Sequence, residues 1–123
     1  MIKSGDTCVR SCADVDLINR NIEAVKTQTE YLTLKAKLFN LLGNETRLNI
    51  VYIIKNEKSV CVCDLSDILG YSISAISQQL KKLKLGGILI NQKENQTIFY
   101  SIHPDIDLIL TELLNLQILN IAI

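Results

Sequence analysis

Apolar residues return along this chain with three distinct rhythms, and each predicts a different kind of element. Through the first 30 residues they are sparse, at Val15, Leu17, Ile18, Ile22 and Val25, with roughly helical spacing among polar neighbours. That pattern predicts a loosely docked N-terminal arm or short helix rather than a piece of core. From Tyr31 to Leu42 the positions Leu34, Leu38, Leu41 and Leu42 predict a helix that Gly43 ends. Asn44 stands where its side-chain oxygen can cap the next helix, from about Glu45 to Asn56, with Leu48, Val51, Tyr52 and Ile54 turned inward.

A short helix over Asp64–Leu69 is closed by Gly70, and only Tyr71 and Ser72 precede a new helical run through Ile73, Ile76, Leu80 and Leu83. That run stops at Gly86-Gly87. Two short helices joined by a tight turn form a helix-turn-helix signature. The rhythm then becomes β-like in Ile88–Asn91 and Thr97–Ile102, with polar Gln92 to Gln96 between them, which predicts a hairpin. A last helix begins near Pro104, a residue suited to a first helical turn, and carries Ile106, Ile109, Leu110, Leu113, Leu114 and Leu116–Ile123.

The expected fold is therefore mainly α (α+β): a winged helix-turn-helix over residues 31–123, with a β-hairpin wing, an N-terminal arm over 1–30 and a C-terminal dimerisation helix. The last helix is too apolar to face water on every side, so it is expected to bury against a second copy in a two-fold homodimer. Leu34, Leu38, Ile109, Leu113 and Leu116 are the expected interface residues.

Charge changes the picture only when it is resolved along the chain. With 13 basic and 13 acidic residues the formal net charge is zero, which by itself discourages a nucleic-acid partner. Residues 71–100, however, hold Lys81, Lys82, Lys84 and Lys93 against Glu94 alone, for +3, while residues 101–123 hold Asp105, Asp107 and Glu112, for −3. The positive segment coincides with the second helix of the pair and the hairpin, where an anionic partner would bind. On that helix Ser74, Ser77, Gln78, Gln79, Lys81 and Lys82 form the candidate DNA-reading set, and Lys93, Asn95 and Gln96, with Gln92, form the wing's set. Ser and Gln read base edges, and Lys neutralises phosphate or reaches guanine. The expected partner is double-stranded operator DNA.

No apolar stretch is long enough to span a bilayer and no secretory leader is evident, so no membrane partner and a cytoplasmic location are expected. A single His, with no Ser/His/Asp or Cys/His constellation and no phosphate-cradling glycine loop, argues against an enzyme.

Over roughly residues 31–121 these segments resemble the ArsR/SmtB family of metal-responsive winged-helix repressors. Leu42-Gly43-Asn44-Glu45-Thr46-Arg47-Leu48 resembles the family's entry to its second helix. Ile76-Ser77-Gln78-Gln79-Leu80 is similar to the recognition-helix core V-S-x-H-L, and Leu83–Leu89 and Phe99–Ile102 resemble the segments leading into and closing the wing. The family's wing tip often carries Arg, an acid, Gly and a base. Here it reads Lys93-Glu94-Asn95-Gln96, one positive charge fewer, with Asn able to take the positive φ that Gly would.

Cys61-Val62-Cys63-Asp64-Leu65 resembles the C-V-C-D-L metal motif of the family's arsenic, cadmium and lead sensors. The spacing has a physical requirement. Inside an α-helix, residues i and i+2 point roughly 200° apart, whereas in an extended or first-turn segment both thiols face one side. The pair therefore belongs at a helix entrance. Two thiolates rarely close a site alone, and Cys8 and Cys12, spaced to share a helix face, are available in the arm. Four thiolates suit soft d¹⁰ ions such as Cd²⁺, Hg²⁺ and Zn²⁺, and Pb²⁺ is also thiophilic. A metal-ion effector, Cd²⁺, Pb²⁺ or Zn²⁺, is thus expected at Cys8, Cys12, Cys61 and Cys63. The combination resembles the cadmium/lead-sensing CadC-type branch, which implies a site shared between subunits and release of operator DNA on metal binding.

Arsenite- or thiol-redox-responsive repression by the same fold is the alternative. Arsenite-sensing relatives have a third Cys further along the same helix, where this chain offers Ser66. A second, C-terminal metal site known in some relatives would fall on Asp105, Asp107, Ile118 and Ile121, and the isoleucines cannot ligate, so that site is expected to be absent. His103 is expected to be a plain surface or hinge residue.

Overall fold

Between Ala13 and Leu42 the chain has neither Gly nor Pro, so nothing interrupts helical hydrogen bonding once it has begun. Asp14 starts it: its Oδ1 accepts from the Leu17 amide at 3.0 Å. In the computed structural model, which describes residues 11–116, helix α1 consequently runs unbroken over Val15–Leu42. The helix expected to start at Tyr31 therefore starts at Val15, because polar composition lowers burial without lowering helical propensity.

The chain divides into two units within α1, residues 1–35 and 36–123. The helical part of the first unit is exposed almost throughout; even Val15, Ile22, Val25 and Leu32 lie open, and Ile18 alone is half-buried. With Thr29 between Val25 and Leu32 these positions recur at alternating intervals of three and four residues, and the Thr29 hydroxyl donates to the Val25 carbonyl at 2.7 Å.

The second unit is built around the C-terminal end of α1 and the helices that follow it. Helix α2 spans Glu45–Glu57, and Asn44 caps it as expected, accepting from the Arg47 amide at 3.0 Å. Its inward face is Ile50, Val51 and Ile54, each fully buried, while Leu48 and Tyr52 are exposed on the opposite side. The helix is apolar on both sides, so periodicity alone could not choose between them. Strand β1, Val60–Cys61, was not foreseen; two residues are too few to show an alternation. Helix α3 covers Val62–Leu69 and ends in Gly70 at φ 77°, a left-handed position that glycine fills without strain. Helix α4 covers Ile73–Leu85, capped by the Ser72 hydroxyl accepting from the Ala75 amide at 3.1 Å. Ile76, Leu80 and Leu83 are buried, but Ile73, expected in the same stripe, is exposed at the first turn.

Strands β2, Leu89–Glu94, and β3, Thr97–Ile102, pair antiparallel from Leu89↔Ile102 to Glu94↔Thr97, leaving a two-residue turn at Asn95-Gln96. The expected polar loop is thus mostly strand: Gln92 and Lys93 lie on β2 rather than at the tip. β1 adds to the other edge of β3, giving the order β1-β3-β2. Helix α5 covers Pro104–Leu114; its continuation toward Ile123 lies outside the described residues. The core joins Leu42, Ile54, Val60, Leu65, Leu80 and Leu110 among others, and contains no buried polar side chain among the described residues. The architecture is a winged helix-turn-helix. No helix among the described residues is long and apolar enough to cross a membrane.

Candidate functional site

Helix α4 is held from one side, so its opposite side is available. With Ile76, Leu80 and Leu83 in the core, Ser74, Gln78 and Lys81 lie toward the opposite side, with Ser77 and Lys82 on its flanks, and all five are exposed. The turn that presents this face is pinned by Ser66, whose hydroxyl donates to the Tyr71 carbonyl at 2.5 Å. Lys93, Asn95 and Gln96 are exposed on the wing, and Asn95 adopts φ 59°, the left-handed conformation anticipated for it. Wing and helix belong to one unit and offer solvent-facing amide, hydroxyl and ammonium groups to a polyanion.

Gln79 departs from the expected set. It is half-buried, and its Oε1 accepts from Arg47 Nη1 at 3.0 Å, so its carbonyl is committed inside the protein. In the sequence Arg47 stands out only as part of the Leu42–Leu48 motif. Its other nitrogens donate to the Leu41 carbonyl at 2.6 Å and the Asn40 carbonyl at 3.2 Å, closing the end of α1.

Cys61 ends β1 opposite Phe99 and is the N-cap residue of α3, with φ −94° and ψ 165°. Cys63 follows in the first helical turn and is exposed, while Cys61 is half-buried. One thiol on extended backbone and one in a first turn is the local geometry that a Cys-x-Cys pair needs in order to share an ion. Cys61 makes no capping hydrogen bond, so its sulfur is not used structurally there. Glu57, Asp64 and Asp67 line an open groove that also takes in Val60. Cys12 is exposed ahead of α1, and Cys8 lies outside the described residues. Among the described residues no three His, Cys, Asp or Glu side chains gather as a metal cluster.

His103, expected as a surface or hinge residue, lies half-buried at the junction of β3 and α5 and also caps α5, its Nδ1 accepting from the Asp105 amide at 3.0 Å. The 3.9 Å approach of the same nitrogen to Asp105 Oδ2 is secondary, since a nitrogen that accepts the amide proton carries none to offer the carboxylate. Of the positions for a C-terminal metal site, Asp105 is exposed, Asp107 is paired with Lys55, and Ile118 and Ile121 lie outside the described residues. Of the expected interface residues, Leu38 and Leu113 pack against the chain's own core, whereas Leu34, Ile109 and Leu116 are exposed.

Residues 44–90 match the family model described as bacterial regulatory protein, arsR family. The chain is 32% identical over 100 residues to a cadmium resistance transcriptional regulatory protein CadC homolog of Staphylococcus aureus, covering 81% of each. It is 37% identical over 73 residues to the arsenical resistance operon repressor of Escherichia coli strain K12, covering 59% of this chain and 62% of that one. Among solved structures it resembles reduced HlyU of Vibrio cholerae, with 30% identity and a TM-score of 0.66 over 72% of this chain and 93% of that one.

Proposed function

This chain belongs to the arsR family of bacterial regulatory proteins, transcriptional regulators rather than enzymes, and on that premise we propose that it is a metal-sensing operator repressor. As a cytoplasmic homodimer it holds operator DNA through Ser74, Ser77, Gln78, Lys81 and Lys82 of α4 and Lys93, Asn95 and Gln96 of the wing. A thiophilic ion, Cd²⁺, Pb²⁺ or Zn²⁺, bound by the thiolates of Cys61 and Cys63 with Cys8 and Cys12 of the arm, releases it.

The observation that carries this reading is the position of the thiol pair. Cys61 and Cys63 sit at the entrance of α3, the helix that leads through a short turn into α4. A donor set of thiolates alone fits soft d¹⁰ ions and not Mg²⁺ or Ca²⁺. An ion held there favours one placement of the helix pair over another, and its effect on DNA affinity equals the effect of DNA on its own affinity.

The test titrates Cd²⁺ into reduced protein while following the ultraviolet thiolate-to-metal absorption, and then into a complex with a labelled operator duplex. The expected result is an absorption that Cys61→Ser and Cys63→Ser abolish, with DNA affinity falling about 5- to 150-fold on metal binding. Unchanged DNA affinity would sink the metal-release mechanism. An arsenite arm reports on the alternative effector.

A further inference from the structure

The last turn of α1 bears on α4 at two points, and all the residues involved belong to the unit of residues 36–123. The first contact is through Arg47. Its Nε and Nη2 donate to the carbonyls of Leu41 and Asn40, groups that a helix end otherwise leaves without partners. Its Nη1 continues to Gln79 Oε1, in the middle of α4, at 3.0 Å. The second contact is one of packing. A β-carbon on Gly86, the C-cap of α4, would overlap Leu41 Cδ1, so the Leu41 side chain packs directly on the backbone there. Gln79 and Gly86 are seven positions apart, about 10 Å along a helix.

A helix held at two points that far apart has its tilt determined as well as its distance. We propose that Arg47 is a positioning residue: it ties the orientation of α4 to the last turn of α1, so that reading of DNA depends on where that turn sits. The inference rests on the reading of α4 as the DNA-recognising helix. It also accounts for Gln79, which lies beside Gln78 and Ser77 but turns inward to hold the guanidinium. The fork geometry is essential to the link, since three nitrogens with fixed directions serve three acceptors on two helices. Lysine supplies one flexible ammonium and cannot reproduce it.

The test is a double-mutant cycle in the full chain with Arg47→Lys and Gln79→Met. It measures hydrogen exchange of α4 amides in the free protein, and affinity for a duplex that the wild-type protein selects from a random-sequence pool. Each single variant is expected to speed exchange in α4 and weaken binding to the selected duplex about tenfold, with the double variant no worse than the weaker single. Binding to a scrambled duplex and the urea unfolding midpoint stay near the wild-type values, which a merely structural role would not allow. Gln79→Glu keeps the acceptor and is expected to restore slow exchange. Additive effects overturn the proposal, as does wild-type exchange in α4 of Arg47→Lys. A wild-type protein that selects no duplex overturns the repressor reading instead, and the exchange data then decide the Arg47 link alone.

Discussion

Lys55 Nζ lies 2.8 Å from Asp107 Oδ1, joining α2 to the first turn of α5 across 52 positions of sequence. Neither side chain is buried; the lysine is 25% exposed and the aspartate 51%, so water and salt screen the pair. Pairs of this kind contribute about 0.2–1 kcal/mol. Asp107 also sits near the helix N-terminus, where a negative charge is favoured independently of its partner.

Replacing Lys55 by Met should accordingly lower stability by about 0.5 kcal/mol in dilute buffer and by nothing measurable in 1 M salt. Asp107→Asn should cost more, because it loses the helix-end interaction as well. Urea unfolding of both variants at two salt concentrations checks the order. A loss above about 2 kcal/mol for Lys55→Met would mean that the pair carries packing that its exposure does not show.

The wing turn offers a prediction of backbone origin. Asn95 holds φ 59° in a two-residue connection between Glu94 and Thr97. Asn and Gly tolerate that region, whereas a β-branched residue does not. Asn95→Gly should leave stability within about 0.5 kcal/mol of wild type, and Asn95→Val should cost about 1–2 kcal/mol. Thermal unfolding compared across the two variants tests this. Equal stability would show that the turn readjusts.

The contrast between Asn95 and Lys55 shows what kind of information the sequence carries. Asn95, the cap at Asn44 and the stop at Gly70 are local devices whose chemistry acts within a few residues, so they are legible in the sequence. So is the open face of α4, because its buried stripe is narrow and its polar residues fall opposite. The Lys55–Asp107 and Arg47–Gln79 contacts join residues 52 and 32 positions apart and leave no local mark. Gln79 looked like its neighbours for that reason: its type suits base reading, and only the arginine reaching it from α2 commits it elsewhere. Strand β1 was hidden by brevity, and the inward face of α2 by an excess of apolar residues.

The proposed recognition face carries a prediction in salt dependence. Each lysine that neutralises a phosphate contributes about 0.9 to the slope of log affinity against log salt. Lys81→Ala with Lys82→Ala should therefore lower the slope by about 2 and weaken binding to all duplexes alike. Ser77→Ala and Gln78→Ala should leave the slope intact and reduce discrimination between sequences by about 1–3 kcal/mol each. Fluorescence anisotropy on operator and scrambled duplexes over a salt series separates the two classes. An unchanged slope in the double lysine variant would remove Lys81 and Lys82 from the phosphate contacts.

Self-association yields the last prediction, because α1 leaves a row of apolar residues exposed along one face. Val15, Ile18, Ile22, Val25 and Leu32 follow the 3–4 alternation of a helix-pairing seam, and four of the five are exposed. In the proposed two-fold homodimer any seam residue appears twice. Removing one buried valine side chain forfeits about 1.5 kcal/mol, so Val25→Asp should raise the dimer dissociation constant about 100-fold or more. The monomer should be little affected, since the change at an exposed helical site costs about 0.5 kcal/mol in propensity. Sedimentation across a concentration series, with circular dichroism for helix content, distinguishes these effects. Unaltered dissociation by Val25→Asp and Ile22→Asp would place the interface elsewhere, on the exposed Leu34, Ile109 and Leu116.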